Sequence, residues 1–144
     1  MAEVATSILS VKKDEAIKIF YNLESAGTDY YHIDVMDGEF VKNNTIDLML
    51  EYCEYLKSIT NVPLDVHLMV QDVEEFIKGY AIFEPNNITF HYEACKNREE
   101  LLKFVNLIKE NNCKVGVSIK PNTEAEKIYD ILPYIHTVLV MTVE

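Results

Sequence analysis

The chain has 144 residues, of which 49% are apolar, so it has the length and apolar content of one ordinary domain. Its net charge of -11 leaves no basic stripe, which argues against nucleic acid and anionic membrane surfaces as partners. An anionic small substrate is compatible with this charge, because backbone amides and helix N-termini can hold phosphate locally.

Targeting segments and disulfides are not expected. No stretch reaches the length of about 20 apolar residues that a membrane span requires, and the first residues lack the basic start of a secretory signal. We therefore expect a cytoplasmic protein. Cys53, Cys95 and Cys113 are odd in number and widely spaced, which predicts three reduced thiols rather than a disulfide framework or a thiolate zinc site.

Short apolar runs alternate with segments of helical spacing along the whole chain. Six runs predict strands, which begin near Val4, Tyr30, Leu64, Asn87, Lys114 and Thr137. Five segments between them predict helices over 14–26, 46–59, 73–80, 98–111 and 124–132. Gly27 is expected to end the first helix, and Pro133 to end the last.

This alternation is typical of parallel strands covered by helices, in a single domain over 1–144. Two architectures fit it: an open doubly wound sheet, or a piece of an eight-stranded barrel. Only four glycines occur, and neither the dinucleotide nor the Walker fingerprint is present. The nucleotide-binding doubly wound alternative is weakened accordingly.

The second and third predicted strands carry polar and thioether groups at every second position. These groups are His32, Asp34, Met36, Asp65, His67 and Met69. Alternate residues of a strand share one face, and adjacent parallel strands lie about 4.8 Å apart, so His32, Asp34 and His67 can converge on one ion. This mixture of nitrogen and oxygen ligands suits zinc, manganese or ferrous iron and does not select among them.

Structural interpretations compete with these assignments. A strand histidine, such as His91 in the fourth strand, is more often a satisfied core or rim group than a ligand. Asp34 is a candidate general base, and Asp37 and Asp65 are its competitors. Asp37 precedes Gly38 in a turn, where it is expected to bond its own backbone. Asp65 is expected to be a buried hydrogen-bonding group behind the ligands.

Three methionines lie near the C-terminal ends of predicted strands, namely Met36, Met69 and Met141. One such methionine usually fills a gap in a core, but three at matching positions indicate a lined pocket. Ser7 lies at the same end of the first strand.

Taken in order, these segments resemble the ribulose-phosphate 3-epimerases, a family of phosphate-binding (β/α)8 TIM barrels. The matching segments are SILS at 7–10, HIDVMDG at 32–38, FV at 40–41, LDVHLM at 64–69, HYE at 91–93 and LVMTV at 139–143. The pair HIDVMDG and DVHLM is far more specific than either half alone. Because such a barrel needs at least roughly 200 residues, the resemblance implies its N-terminal two thirds, with six strands and five helices.

The resemblance implies an isomerase that inverts the third carbon of a pentulose 5-phosphate through an enediolate. It would convert D-ribulose 5-phosphate and D-xylulose 5-phosphate in the pentose phosphate pathway. Asp34 would be an acid/base residue and, with His32 and His67, would bind one divalent ion, which can be zinc, manganese, iron or cobalt. Substrate contacts are implied for Ser7, His67, Met36, Met69 and Met141. A homo-oligomer is expected.

Part of the family's machinery is not in this sequence. The second acid/base aspartate of the family lies on the seventh strand, and its phosphate loops follow the sixth, seventh and eighth. The chain is therefore expected to be truncated after the sixth strand and inactive alone. The alternatives are an epimerase of a ketohexose 6-phosphate such as allulose 6-phosphate, and a non-catalytic metal-binding or assembly fragment. Barrel decarboxylases with an Asp-x-Lys-x-x-Asp arrangement are disfavoured, because Met36 stands where the lysine is required.

Overall fold

The computed structural model describes residues 1–143, and Glu144, the last residue of the predicted domain, lies outside the described residues. Residues 1–143 form six parallel strands. They are β1 (Ala5–Ser7), β2 (Tyr30–Met36), β3 (Leu64–Met69), β4 (Asn87–His91), β5 (Lys114–Ile119) and β6 (Thr137–Val140). The order in the sheet is the order along the chain. A doubly wound sheet reverses its strand order, so this topology is that of a partial (β/α) barrel.

Four α-helices occur among residues 1–143, and all were predicted from the sequence. They are α1 (Ala16–Ser25), α2 (Ile46–Ile59), α3 (Val73–Ala81) and α4 (Arg98–Glu110). The fifth predicted segment is also helical, but it is a 3₁₀ helix over Ala125–Tyr134. The expectation that Pro133 ends this helix was wrong, because Pro133 lies inside it. Proline has no N–H to donate and, in an α-helix, clashes with the carbonyl four residues earlier. This restriction acts only on the last turn and does not account for the 3₁₀ geometry that begins at Ala125.

Gly27 ends α1 as the sequence predicted. Its φ angle is +85°, in the left-handed region that glycine adopts without strain. The Gly27 N–H bonds the Glu24 carbonyl at 3.0 Å, and the Thr28 N–H bonds the Leu23 carbonyl at 3.2 Å. These two bonds form a Schellman motif, which satisfies carbonyls at the helix end and turns the chain toward β2.

The two faces of the sheet differ in chemistry. On the outer face, Ile33, Val66, Leu68 and other apolar residues are fully buried beneath the helices. The inner face carries buried polar groups at the alternate positions, among them Asp34 and His67. Burial of a polar group is costly unless it is hydrogen-bonded, so the inner face must satisfy these groups among themselves or with a ligand.

The cysteines agree with the expectation of free thiols: Cys53 and Cys113 are buried, and Cys95 is half-buried. Among residues 1–143, no helix combines the length and apolar character needed to span a membrane.

Candidate metal and active site

Three of the predicted ligands meet on the inner face of β2 and β3. The parallel register places Asp34 directly beside His67, and His32 lies two residues before Asp34 on the same strand. Asp34 Oδ1 is 3.2 Å from His32 Nε2 and 3.3 Å from His67 Nδ1. The ligand atoms of the three residues all lie within 4.8 Å of one another. These three residues form the His/Asp group, which could hold a metal ion.

Asp65 fixes the orientation of His32. Its Oδ2 is 2.7 Å from His32 Nδ1, and its Oδ1 accepts a hydrogen bond of 2.7 Å from Asn87 Nδ2. An ionised carboxylate only accepts hydrogen bonds, so His32 donates from Nδ1 and turns Nε2 toward Asp34. Asp65 thus has the hydrogen-bonding role that the sequence predicted, but it is partly buried rather than buried.

The electrostatics of the group favour a positive charge between its members. Burial disfavours the charged form of Asp34, but hydrogen bonds from His32 and His67 outweigh burial and hold the pKa of that carboxyl well below its usual range. Burial likewise lowers the pKa of His32, yet hydrogen bonds with Asp34 and Asp65 raise it to about 9. For His67, burial dominates and lowers the pKa, which leaves a neutral imidazole. One carboxylate and two imidazoles around one point fit the ligand preferences of a divalent transition ion.

Ser7 contacts the far side of the same carboxylate. It is the register partner of His32, at the C-terminal end of β1. Its Oγ donates a 2.8 Å hydrogen bond to Asp34 Oδ2. Both oxygens of Asp34 are therefore held, one by the histidines and one by Ser7.

A pocket of about 630 Å³ opens at the C-terminal ends of the strands beside this group. Met36, Met69 and Met141 all line it, as the sequence predicted. Met36 and Met69 are register partners, two residues beyond Asp34 and His67. Along β2 and β3, the pocket therefore lies on the C-terminal side of the His/Asp group.

Two other residues that line the pocket were not assigned from the sequence. Lys120 follows β5 directly, and its Nζ lies 4.2 Å from the centroid of the Phe40 ring. A lysine immediately after a barrel strand is a usable signal, since the C-terminal ends of the strands surround the site. The aromatic ring fixes this cation at the pocket by a cation–π contact.

Asp37 has the structural role that its turn predicted. Its Oδ1 accepts the N–H groups of Glu39 and Phe40, both at 2.8 Å. Its Oδ2 accepts the Gln71 N–H at 2.6 Å, which ties the loop after β2 to the loop after β3. Both oxygens are occupied by backbone donors, so Asp37 is not available as a base.

His91 was expected to be a satisfied core or rim group, and it is buried as expected. Its Nε2, however, is 2.9 Å from Nε2 of His67, a member of the His/Asp group. The HYE segment that contains it was matched to the family without a role. Two polar groups at alternate positions, His91 and Glu93, were the available signal.

The structure is a partial (β/α) barrel, and its histidine and aspartate group and its pocket lie at the C-terminal ends of the strands, where enzymes of this fold carry their active sites. The model of the Ribulose-phosphate 3 epimerase family matches residues 3–144. The chain belongs to this family.

Proteins named ribulose-phosphate 3-epimerase are similar to the chain over most or all of its length. The one from Bacillus subtilis is 37% identical over 99% of this chain and 64% of its own length. The one from Methanocaldococcus jannaschii is 37% identical over 100% of this chain and 58% of its own length. The one from Mycobacterium bovis is 42% identical over 82% of this chain and 49% of its own length. The chain thus spans about half to just under two thirds of these relatives.

Proposed function

We propose that residues 1–144 supply the first six strands of a complete (β/α)8 barrel that interconverts D-ribulose 5-phosphate and D-xylulose 5-phosphate. The reaction inverts the third carbon of the sugar and belongs to the pentose phosphate pathway, in the cytoplasm. One observation carries the proposal: the Asp34 carboxylate lies between two imidazole nitrogens, at 3.2 and 3.3 Å, beside a pocket lined by methionines. Family membership supports the same reaction.

Inversion begins with removal of the proton at the third carbon, next to the carbonyl. Asp34 is the proposed base. Its low pKa keeps it ionised, and the hydrogen bond from Ser7 Oγ fixes the carboxylate in one orientation. A positioned carboxylate contributes about 10² to 10⁴ in rate as a general base. Ser7 and His67 lie next to it and are the proposed contacts for the sugar hydroxyls.

Proton removal builds negative charge on the substrate oxygens, which a fixed positive charge in a water-poor site stabilises. We place one divalent ion, zinc, manganese, iron or cobalt, on Asp34, His32 and His67. When bound, this ion supplies Lewis-acid stabilisation of that negative charge. Met36, Met69 and Met141 provide an apolar, polarisable wall that excludes water from the reacting carbons.

Delivery of a proton to the opposite face needs a second acid, because one carboxylate cannot serve both faces of a carbon. We place this acid, and the loops that hold the substrate phosphate, in the part of the barrel that follows β6. The greater length of the relatives is consistent with this placement. We also propose that the complete barrel is a homo-oligomer.

An exchange experiment with the complete protein tests the reaction. In deuterium oxide, ribulose 5-phosphate should gain deuterium at the third carbon and equilibrate with xylulose 5-phosphate. The His32→Ala variant should be impaired in both processes, because it removes a proposed ligand. Allulose 6-phosphate is the competing substrate. A higher kcat/KM for it would replace the pentulose assignment, and no exchange with either sugar would defeat the proposed function.

Removal of the ion should lower kcat of the complete enzyme by at least about 100-fold, because a Lewis acid contributes several kcal/mol and each 1.36 kcal/mol is tenfold. The measurement is the epimerase rate after dialysis against a strong chelator. Manganese or zinc should restore the wild-type rate and fail to restore the rate of His32→Ala. Full activity in a protein shown to be free of metal would contradict the ion's role.

A further inference from the structure

The pocket at the C-terminal ends of the strands carries local positive charge in a chain whose net charge is -11. Apart from its histidine, the charged residues of 1–143 that line it are Lys42, Lys120 and Glu39, so lysines outnumber carboxylates there. A small anion is repelled by the protein as a whole and attracted only at such a place. The two lysines are therefore the candidates for recognising a negatively charged ligand.

Lys120 is the better fixed of the two lysines. Its side chain is half-buried, whereas Lys42 is exposed. Its Nζ lies 4.2 Å from the centroid of the Phe40 ring, and the Phe40 ring packs on the ring of His91, with centroids 5.0 Å apart. An aromatic face attracts a cation through its quadrupole. Phe40 is thus a seat that holds the ammonium of Lys120 at the pocket.

No carboxylate of residues 1–143 is paired with this ammonium. Other cations of the chain are engaged in ion pairs, namely Lys13, Lys57, Lys78, Lys96, Arg98 and Lys103. Glu93 does contact Lys120, but its Oε1 accepts the backbone N–H, at 2.7 Å, rather than a bond from Nζ. The backbone of Lys120 is therefore fixed, while the charge of its side chain is left for a ligand.

Lys120 lies one layer of side chains beyond the His/Asp group. His91 contacts that group, and its register partner in β5 is Ser118. Lys120 is two positions further along the chain, so it points to the same face as Ser118. The Met141 N–H bonds the Ile119 carbonyl at 3.0 Å, which brings the end of β6 beside it. A ligand whose reacting carbons lie at the His/Asp group has to pass this level to reach solvent.

We propose that Lys120 is a specificity-determining residue that selects anionic sugars, with Phe40 as the seat of its ammonium. The inference rests on the proposed function, whose substrate carries a phosphate remote from the reacting carbons. The ligand class is a phosphate monoester, because its oxygens accept charge-assisted hydrogen bonds from an ammonium. Lys120 follows β5, so this contact is additional to the loops after β6 in which the proposed function places the phosphate site.

The test measures the Kd of D-ribitol 5-phosphate for the complete protein by calorimetry. This probe has the anionic group but no carbonyl, so it is not turned over. In Lys120→Met, the Kd should rise about 10- to 100-fold, the usual effect of losing a hydrogen bond to a charged group. Lys120→Arg should stay within about threefold of the wild type, because a guanidinium keeps the charge and stacks on an aromatic ring.

Lys114→Met is the matched control. Lys114 is the exposed first residue of β5, at the opposite end of the strand from the pocket. Its substitution changes the net charge by the same amount as Lys120→Met, and its Kd should equal that of the wild type. Raising the salt concentration to about 0.5 M should weaken binding to the wild type more than to Lys120→Met, because salt screens the charge pair that the variant lacks.

Substitutions of Phe40 test the seat. Phe40→Leu removes the ring face and should raise the Kd, whereas Phe40→Tyr keeps the ring face and should not. In a Lys120→Met background, Phe40→Leu should have a smaller effect than in the wild type, because the seat then has no cation to hold. Fully additive effects of the two substitutions would contradict the role of Phe40 as a seat.

Three results would overturn the role of Lys120: a wild-type Kd in Lys120→Met, equal increases of the Kd in Lys120→Met and Lys114→Met, or no binding of D-ribitol 5-phosphate to the wild type. Absence of epimerase activity would defeat the proposed function alone, since the Kd is measured without turnover.

Discussion

Replacing Asp34 by asparagine in the complete enzyme should lower kcat for epimerisation by about 1,000-fold or more, because an amide cannot accept the substrate proton. Asparagine matches the size of aspartate and can still accept the hydrogen bond from Ser7. The fold should therefore remain intact, and the loss should fall on kcat more than on KM. Steady-state kinetics and deuterium exchange at the third carbon measure the effect.

Asp14→Asn is the matched control for this variant. Asp14 is exposed, precedes α1 and is not among the residues that line the pocket, so its substitution should leave kcat unchanged. Saturating metal distinguishes the two roles proposed for Asp34. If Asp34 served only as a ligand, excess manganese would restore the rate of Asp34→Asn, and that result would exclude it as the base.

Gly116→Ala should destabilise the protein by about 1 to 3 kcal/mol, the usual range for an overpacked interior. Gly116 in β5 is the register partner of Thr89 in β4. A Cβ atom added at Gly116 would lie 2.1 Å from Thr89 Oγ1 and 3.2 Å from the Thr89 Cα, so backbone as well as side chain must move. Urea unfolding of the metal-free protein measures the change in the free energy of unfolding.

Gly79→Ala is the control for that experiment. Gly79 is exposed in α3, and an added Cβ would meet nothing within 4 Å. Alanine is favoured over glycine inside a helix by roughly 0.5 to 1 kcal/mol, so this variant should be slightly more stable than the wild type. Equal stability of Gly116→Ala and Gly79→Ala would contradict the close approach of β4 and β5.

Crowding at Gly116 should also reach the metal site. Thr89 Oγ1 accepts a 2.9 Å hydrogen bond from Asn87 Nδ2, and the same nitrogen donates to Asp65. Asp65 in turn orients His32. Displacement of Thr89 therefore changes the group behind His32, and the Kd for manganese should rise in Gly116→Ala but not in Gly79→Ala.

Much of the fold could be predicted from the sequence, because the spacing of apolar residues indicated the strands and helices and Gly27 indicated a helix end. The helix 46–59 was predicted with both its ends, and Gly27 marked a real Schellman motif. The segment 124–132 was predicted with helical spacing, which does not distinguish an α-helix from 3₁₀ turns. Only the hydrogen bonds to the third preceding residue, such as Lys127 N–H to the Glu124 carbonyl, make that distinction.

Part of the site could also be predicted from residue spacing. Alternation along β2 and β3 placed His32, Asp34 and His67 on one face, and parallel pairing brought them together. The directions of the side chains could not be predicted from the sequence. The contact between Nε2 of His67 and Nε2 of His91 depends on ring rotation across two strands, and no spacing rule encodes it. Lys120 Nζ lies over the ring of Phe40, which is 80 positions earlier in the sequence, and no spacing rule predicts that contact.

The order of the strands has a consequence for how the chain acquires its structure. Each strand pairs with the one that precedes it, so its partners lie close in sequence, as His67 does to Asp34 at a separation of 33 residues. No strand among residues 1–143 has to wait for a distant segment before it can join the sheet. Sheets with such short-range pairing pay less loop-closure entropy and fold faster than sheets of long-range pairings. The protein can therefore grow strand by strand from its N-terminus while it is being synthesised, with each βα unit docking on the edge of the last.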